Sequence, residues 1–310
     1  MPNWFIIANP AAGGGLVQKS WPAIEAELQK LNIQYVSNFT IGPGHAITMV
    51  QEALTAGYRH IIAVGGDGTN HEVINGLMLQ KTVPATEVQY GLLPVGTGND
   101  WIRTYGIPSN WREWLPQLFS APSRLQDVGL ATFWSGGQKV ERFFTNIAGL
   151  CYDAFVVKTM VENQVKTNNR FVYLSWILRC LFRFTPPKCR VRFNGQSVEK
   201  ACYTINVGIC KYSGGGMQFV PQAIPDDGLL GLTIAGKLSK LGVMLATPKF
   251  YAGTVGEHPK VDLYQSKEVT VEATGTNPVY VEADGEFLGE CPAEFRVLAG
   301  AIRIIAPALA

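Results

Sequence analysis

Short apolar runs alternate with amphipathic segments along the first third of the chain. The runs NWFIIANP, IQYVSNFT, RHIIAVGGDG and YGLLPVGTGND have the length and composition of buried strands. Between them, SWPAIEAELQKLN, HAITMVQEALTAG and NHEVINGLMLQ predict helices, the first with Ser20 as its N-cap. Strand followed by helix at this spacing indicates βαβ units and a mainly parallel sheet.

The pattern changes near residue 128. Strand-like runs such as ACYTINVGIC, EVTVEAT and VYVEADGE follow one another, separated by Asn-Gly and Asp-Gly turns. They predict an antiparallel β sandwich or barrel, with helices inserted near 153–184 and 238–253. We therefore predict an α/β domain over residues 1–128 and an all-β sandwich domain over residues 129–310.

Composition excludes several classes of protein. The chain has 310 residues with a net charge of +2, so its bulk charge indicates no nucleic-acid partner. Its six cysteines form no C-x-x-C pair, which favours reduced thiols over a zinc site. The N-terminus lacks the basic and apolar regions of a signal peptide, so we expect a cytoplasmic location.

One helical segment is unusually apolar. FVYLSWILRCLFRF, residues 171–184, is interrupted by Arg179 and Arg183 and is too short to cross a bilayer. It predicts either a helix packed on the sandwich or a helix that faces lipid at a membrane surface.

Four glycine turns follow the strands of the first domain: NPAAGGG (9–15), IGPG (41–44), GGDGTN (65–70) and PVGTGND (94–100). The carboxyl ends of parallel strands share one edge, where such folds bind ligands. Glycine lets the backbone N–H groups approach a phosphate, and the next helix adds a favourable partial charge. The turns therefore predict a polyphosphate site.

The usual phosphate-binding motifs do not fit these turns. Neither G-x-G-x-x-G nor GK[ST] is present, and HEVIN has Asn75 where a zinc protease needs its second histidine. Asp67 therefore lies in a predicted phosphate-binding turn that has no lysine. It is either an ordinary turn residue or, with Asp100 and Asp127, part of an acidic set that organises Mg²⁺.

Together these residues resemble a known family. GGDGTNHEVINGL followed by GLLPVGTGNDWIRTYGIP is similar to the diacylglycerol kinase catalytic domain of bacterial diacylglycerol and YegS-type lipid kinases. NAD kinases share the first motif only. The resemblance extends over the whole chain through NPAAGGG, DVG, IPDDGLLGL and DGE. It implies a Rossmann-like ATP domain, a β sandwich, an active site in the cleft between them, and a last strand that can return to the first domain.

The resemblance also assigns roles to residues. It implies that Asp67, Asp100 and Asp127 organise catalytic Mg²⁺ and that Glu286 is the catalytic base, although an acid after Asp-Gly is also ordinary hairpin chemistry. It places a structural magnesium site in the loop of Ile224, Asp227 and Leu229, a sequence that would otherwise indicate a plain turn. The implied ATP contacts are Asn9, Pro10, Ala11, Ala12, Gly13, Thr40, Gly65, Gly66, Asp67, Gly68, Thr69, Asn70, His71 and Thr97.

Departures from the family are small. The one in the first turn is AAGGG, which lacks the basic residue that many relatives have there. The sequence thus predicts an ATP- and Mg²⁺-dependent kinase of a lipid hydroxyl, with diacylglycerol at the membrane surface as the first substrate. A kinase of phosphatidylglycerol, a sphingoid base or NAD stays open, as do a homodimer and a nucleotide-binding regulatory module without turnover.

Overall fold

The computed structural model describes residues 4–96, 98–165 and 170–307 of the chain. It divides into two compact units: residues 1–127 with 300–310, and residues 128–299. The first unit contains a set of parallel strands, and the second contains antiparallel strands. In the described residues, no helix is both long and apolar enough to cross a bilayer.

The first unit alternates strands and helices, as the apolar pattern predicts. In chain order its elements are β1 Trp4–Ala8, α1 Ala12–Lys30, β2 Tyr35–Phe39, α2 His45–Thr55, β3 His60–Gly65, α3 Asp67–Leu79, a short 3₁₀ helix Ala85–Glu87, β4 Gln89–Pro94, α4 Asp100–Thr104, α5 Trp111–Leu118 and the start of β5 Ser123–Ser135.

The sheet of this unit is parallel. Its strands lie in the order β2, β1, β3 and β4, with β1 paired in parallel to both β2 and β3. Every residue of β1 is buried, as expected for a sheet with both faces covered. Arg303 and Ile304, near the end of the chain, pair in parallel with β4 at Gln89 and Tyr90.

The start of α1 differs from the prediction. The element begins at Ala12, and Gly13, Gly14 and Gly15 have φ of 61°, 69° and 85°, so regular helix starts only after them. Ser20 lies inside the helix, and its assignment as the N-cap is wrong. The buried side chain of Val17 shows why, because the helix already packs on the core three residues earlier.

The second unit is β-rich and antiparallel. Its elements are β6 Gln138–Phe144, β7 Ile147–Cys151, α6 Tyr152–Glu162, α7 Arg170–Arg183, β8 Lys188–Phe193, β9 Gln196–Gly208, β10 Tyr212–Ser213, β11 Met217–Gln218, β12 Leu230–Gly236, α8 Lys240–Ala252, a 3₁₀ helix Val255–Glu257, β13 Val261–Ser266, β14 Glu268–Ala273, β15 Tyr280–Ala283 and most of β16 Glu286–Ile305.

Long strands join the layers of this unit. The first half of β9 pairs with β8, and its second half pairs with β7 and β12. In the same way β16 pairs with β15 near its start and with β14 further on. Both the α/β unit and this sandwich-like unit agree with the predicted fold class, and the two helical insertions lie where the sequence predicts them.

Candidate active site

Three of the four glycine turns meet at the carboxyl edge of the parallel sheet. A methyl group built on Gly13 would lie 3.1 Å from Cα of Gly96, and one built on Gly96 would lie 3.7 Å from Cα of Gly66. Backbone segments can approach this closely only where side chains are absent. The backbones of the three turns therefore lie side by side at this edge, as the strand order predicts.

Side chains tie the first turn to α3. The Asn9 amide donates to Oγ1 of Thr69 at 3.0 Å, and its Oδ1 accepts the N–H of Ala11 at 3.1 Å. Thr69 in turn explains Gly65, because a methyl group there would lie only 2.3 Å from Oγ1 of Thr69. These contacts fix the N-terminus of α3, whose first N–H groups have no partner within the helix.

Asp67 joins the glycine turn after β3 to the glycine turn after β4. Its Oδ2 accepts the N–H of Asp100 at 2.9 Å, and its Oδ1 accepts the N–H of Trp101 at 3.3 Å. Those two N–H groups open the short helix α4, where a negative charge is stabilised by the helix dipole. An acid in the glycine turn thus has a partner in the fold, at the edge where three turns converge.

Asp100 is itself buried and lies 3.2 Å from Nε of Arg103. Asp127 is also buried, and its Oδ1 accepts the N–H of Gly300 at 2.7 Å. Across the described residues no three acidic, histidine or cysteine side chains are grouped closely enough to hold a metal ion. The structure thus brings Asp67 and Asp100 together, whereas a role for Asp127 beside them stays a prediction.

Several of the predicted ATP contacts have buried side chains. Asn70 accepts a 2.7 Å hydrogen bond from the buried Tyr90 hydroxyl, and His71 lies 3.3 Å from the Asn75 amide. Burial, with the nearby charge of Asp67 as a second cause, raises the pKa of Tyr90 well above its usual value. The ATP contacts assigned to Asn70 and His71 stay predictions.

The remaining predicted contacts of this unit differ in exposure. Pro10 and Ala12 are partly exposed in the first turn and Ala11 is exposed there, Gly68 is exposed in α3, and Thr40, which follows β2, is buried. Thr97 lies outside the described residues.

The IGPG turn has a different role from the other three. Both oxygens of Glu72 accept N–H groups at the start of α2, from Gly44 at 2.7 Å and Ala46 at 3.1 Å. This N-terminus is therefore already matched by a carboxylate of the protein. The sequence indicates Glu72 only as part of HEVIN, and its capping role depends on the packing of α2 on α3.

In the second unit, Glu286 is exposed at the first position of β16. It follows a tight turn in which Asp284 and Gly285 have φ of 50° and 86°. The Asp284 carboxylate accepts the N–H groups of Thr145, Asn146 and Ile147 at 3.0–3.1 Å. The hairpin that carries Glu286 is thus held to the start of β7.

A second carboxylate supports this turn. Glu282 is buried on β15, and its Oε2 accepts the N–H of Gly285 at 2.9 Å. Burial and then the charge of Asp153 raise its pKa well above the usual value for glutamate. Asp153 accepts hydrogen bonds from Thr204 at 2.6 Å and Asn206 at 2.9 Å, and burial raises its pKa to about 7. No sequence motif pointed to Glu282 or Asp153.

The Asp227 carboxylate of the predicted magnesium loop is bound both within the turn and by β13. Oδ1 of Asp227 accepts the N–H of Leu229 at 2.9 Å, and Oδ2 accepts from Gln265 at 3.2 Å. Ile224 is about half exposed. A carboxylate has lone pairs beyond those that accept these two hydrogen bonds. The oxygens of this loop are therefore compatible with a bound cation, and the turn forms without one.

Comparisons with known proteins agree with this arrangement. The family described as "Diacylglycerol kinase catalytic domain" matches residues 3–131, and "YegS C-terminal NAD kinase beta sandwich-like domain" matches residues 147–306. A diacylglycerol kinase of Staphylococcus carnosus is 27% identical over 97% of this chain and 94% of its own length. One of Mycobacterium tuberculosis has the same identity and coverage.

Solved structures show the same fold. A diacylglycerol kinase from Bacillus anthracis covers 99% of this chain and 98% of its own, with a TM-score of 0.72 and 22% identity. Yeast NADH kinase covers 99% of this chain and 84% of its own, with a TM-score of 0.55 and 9% identity. The chain belongs to the YegS-type bacterial diacylglycerol kinase family, and it is a lipid kinase rather than a regulatory module without turnover.

Proposed function

We propose that this lipid kinase transfers the γ-phosphoryl group of ATP to the free hydroxyl of diacylglycerol, forming phosphatidic acid and ADP. The observation that carries the proposal is the position of Asp67, whose carboxylate is fixed on the N–H groups of Asp100 and Trp101 where three glycine turns converge. The names of the relatives from S. carnosus and M. tuberculosis support diacylglycerol as the acceptor.

The backbone of the glycine turns would bind the polyphosphate. N–H groups at the start of α3, together with its dipole, suit an anionic guest and compensate for the missing lysine. Asn9 and Thr69 keep the first turn against this helix through their 3.0 Å hydrogen bond. These contacts orient the γ-phosphorus for attack, which is the main contribution a protein makes to phosphoryl transfer.

Mg²⁺ fits the donors of the first unit. Mg²⁺ in kinases is commonly held by one or two carboxylates together with substrate phosphates and water. Asp67 is partly exposed, with Asp100 next to it, and a carboxylate offers several lone-pair sites. When bound, the ion would neutralise charge on the phosphates. The family resemblance adds Asp127 to the residues that would organise this ion. It also assigns a second, structural Mg²⁺ to the loop of Asp227.

Glu286 would take the proton of the lipid hydroxyl. As the hydroxyl oxygen bonds to the γ-phosphorus, the bond from that phosphorus to the bridging oxygen breaks, ADP leaves, and the proton passes to the Glu286 carboxylate. A base must be placed within hydrogen-bond reach of this proton. Asp284 and Glu282 give Glu286 a fixed backbone from which to act.

The test is incubation with radiolabelled ATP and a total lipid extract, followed by separation of the lipids. We expect label in phosphatidic acid. Label in another lipid would support the alternative of phosphatidylglycerol or a sphingoid base as acceptor, and would contradict diacylglycerol.

A variant pair tests the base. Glu286→Gln should lower kcat on the order of 100-fold or more with little change in KM for ATP. Glu290→Gln changes another exposed glutamate of the same strand and should keep kcat. Equal activity of the two variants would remove Glu286 from the mechanism.

We also expect a cytoplasmic location, where ATP is available.

A further inference from the structure

Helix α8 is apolar on both of its faces. On one side Ala246 and Phe250 are buried, and Phe250 packs in a cluster with Ala235, Val255 and Val261. The opposite side is solvent-exposed and carries no charged residue. Its members recur at the spacing of one helix face: Leu241, Met244, Leu245, Pro248, Tyr251 and Ala252.

The exposure of this outer face is large. Leu241 is 65% exposed and Leu245 is 72% exposed, although a surface helix of a globular protein normally turns polar residues to water. Single exposed leucines are common on proteins, but an ordered apolar stripe marks an interaction surface.

The end of α7 extends the stripe. The Lys240 ammonium donates to the carbonyls of Leu181 and, at 2.6 Å, Phe184, so the start of α8 lies against the end of α7. Phe182 is 69% exposed there, with Leu178 exposed one turn before it, while Cys180 and Leu181 pack inward. We call the exposed set Leu178, Phe182, Leu241, Met244 and Leu245 the α7–α8 face.

The two helices of this face carry only basic charges, and the acid next to α8, Glu257, is paired with Lys249 at 3.0 Å. Neither α7 (Arg170–Arg183) nor α8 (Lys240–Ala252) contains an aspartate or glutamate. Arg179 and Arg183 are exposed on α7, next to Leu178 and Phe182 in sequence. Apolar side chains bordered by arginines are typical of helices that lie in the interface of an anionic bilayer.

A second copy of the chain suits this face less well. A two-fold contact places the same patch of both copies together. That contact would bring Arg179 and Arg183 of both copies together with no acidic residue from α7 or α8, so like charges would oppose it. Anionic headgroups instead match both the arginines and the apolar stripe.

We propose that the α7–α8 face is the surface by which this lipid kinase docks onto an anionic phospholipid bilayer. Leu241, Leu245 and Phe182 insert at the level of the upper acyl chains, and Arg179 and Arg183 contact the headgroups. The proposal rests on the chain being a lipid kinase and is independent of which lipid hydroxyl it phosphorylates.

The experiment is co-sedimentation of the full chain with vesicles of phosphatidylcholine alone or mixed with phosphatidylglycerol. We expect binding to the mixed vesicles that weakens as NaCl is raised, because salt screens the arginines. Leu241→Gln with Leu245→Gln should weaken binding about tenfold or more, and Arg179→Gln with Arg183→Gln should reduce the preference for phosphatidylglycerol. Glutamine is chosen because it is a good helix former.

Ile41→Gln is the matched control, since Ile41 is 88% exposed in the other unit. It should bind vesicles as the unchanged protein does. Circular dichroism and kinase activity on diacylglycerol dissolved in detergent micelles are measured for every variant, so that lost docking is distinguished from lost folding or lost catalysis.

Three results would overturn the proposal. The unchanged protein could fail to bind mixed vesicles, the leucine variant could bind like the Ile41 variant, or the protein could be a dimer that only the leucine variant converts to monomers. If the protein docks but phosphorylates a lipid other than diacylglycerol, the proposed substrate fails while the docking surface stands.

Discussion

The carboxylate of Asp67 holds the N–H of Asp100, 33 residues further along the chain, at 2.9 Å. This contact links the glycine turn after β3 to the helix that follows β4. It also explains why an anion is tolerated in a turn suited to phosphate, because the charge of Asp67 is partly matched by the N-terminus of α4.

Asp67→Asn should lower kcat on the order of 100-fold or more, while the fold is largely kept. The amide oxygen of asparagine can still accept one N–H of α4, but the negative charge is lost. Steady-state kinetics with diacylglycerol and a thermal melt measure the two effects. Glu52→Gln, at an exposed site on α2, is the control. Unchanged turnover in the Asp67 variant would mean that this carboxylate only stabilises the fold.

Two glycines of the same turn should differ in their tolerance of alanine. A methyl group at Gly65 would lie 2.3 Å from Oγ1 of Thr69, whereas one at Gly68 would have no atom within 4 Å. We expect Gly65→Ala to lower the free energy of unfolding by about 1–3 kcal/mol, and Gly68→Ala to leave it nearly unchanged or slightly higher. Urea denaturation measures both. Equal stabilities would show that Thr69 moves aside.

Asp284 should act as a positioning residue for Glu286. Replacing it by alanine leaves the N–H groups of Thr145, Asn146 and Ile147 without their acceptor. We expect a loss of roughly 1–3 kcal/mol in stability and a fall in kcat without a matching rise in KM for ATP. Asp284→Asn keeps one acceptor oxygen and should recover part of both.

A purely structural role for Asp284 would predict something different. The stability of the alanine variant would then fall, but kcat measured well below its melting temperature would equal that of the unchanged protein.

The buried acid Asp153 should make stability depend on pH. Burial raises its pKa in the folded protein from 3.8 to about 7, so the folded state holds an extra proton between these values. The free energy of unfolding therefore falls as pH rises from about 4 to 7 and levels off above that window. Each kcal/mol lost should lower the melting temperature by about 2–4 °C.

Asp153→Asn tests this origin. Asparagine keeps an oxygen for the hydrogen bonds from Thr204 and Asn206 but has no proton to lose. Melting temperatures from pH 4.5 to pH 8 should then vary less, with the slope that remains coming partly from Glu282. Glu290→Gln, which removes an exposed carboxylate, should keep the full slope. The same slope in the Asp153 variant would rule out this residue as its source.

The sequence by itself determined the fold class, the family and the convergence of three of the four glycine turns. Apolar periodicity is a local property, and a parallel sheet brings the carboxyl ends of its strands to one edge whatever the details of packing. The two motifs around Asp67 and Asp100 therefore indicated the edge at which these turns meet, and the catalytic roles assigned to them stay predictions. The sequence predicted that Asp67 and Asp100 lie close together in an acidic set, but not the hydrogen bond between the Asp67 carboxylate and the N–H of Asp100.

Only the tertiary structure decided which partners the individual side chains have. Glu72 caps α2, Asn70 and His71 are buried, Glu282 supports the turn before Glu286, and α8 exposes an apolar face; none of this follows from local pattern. A hydrogen bond between groups far apart in sequence depends on how helices and strands pack, and burial depends on every element around a residue. Local sequence carries neither kind of information.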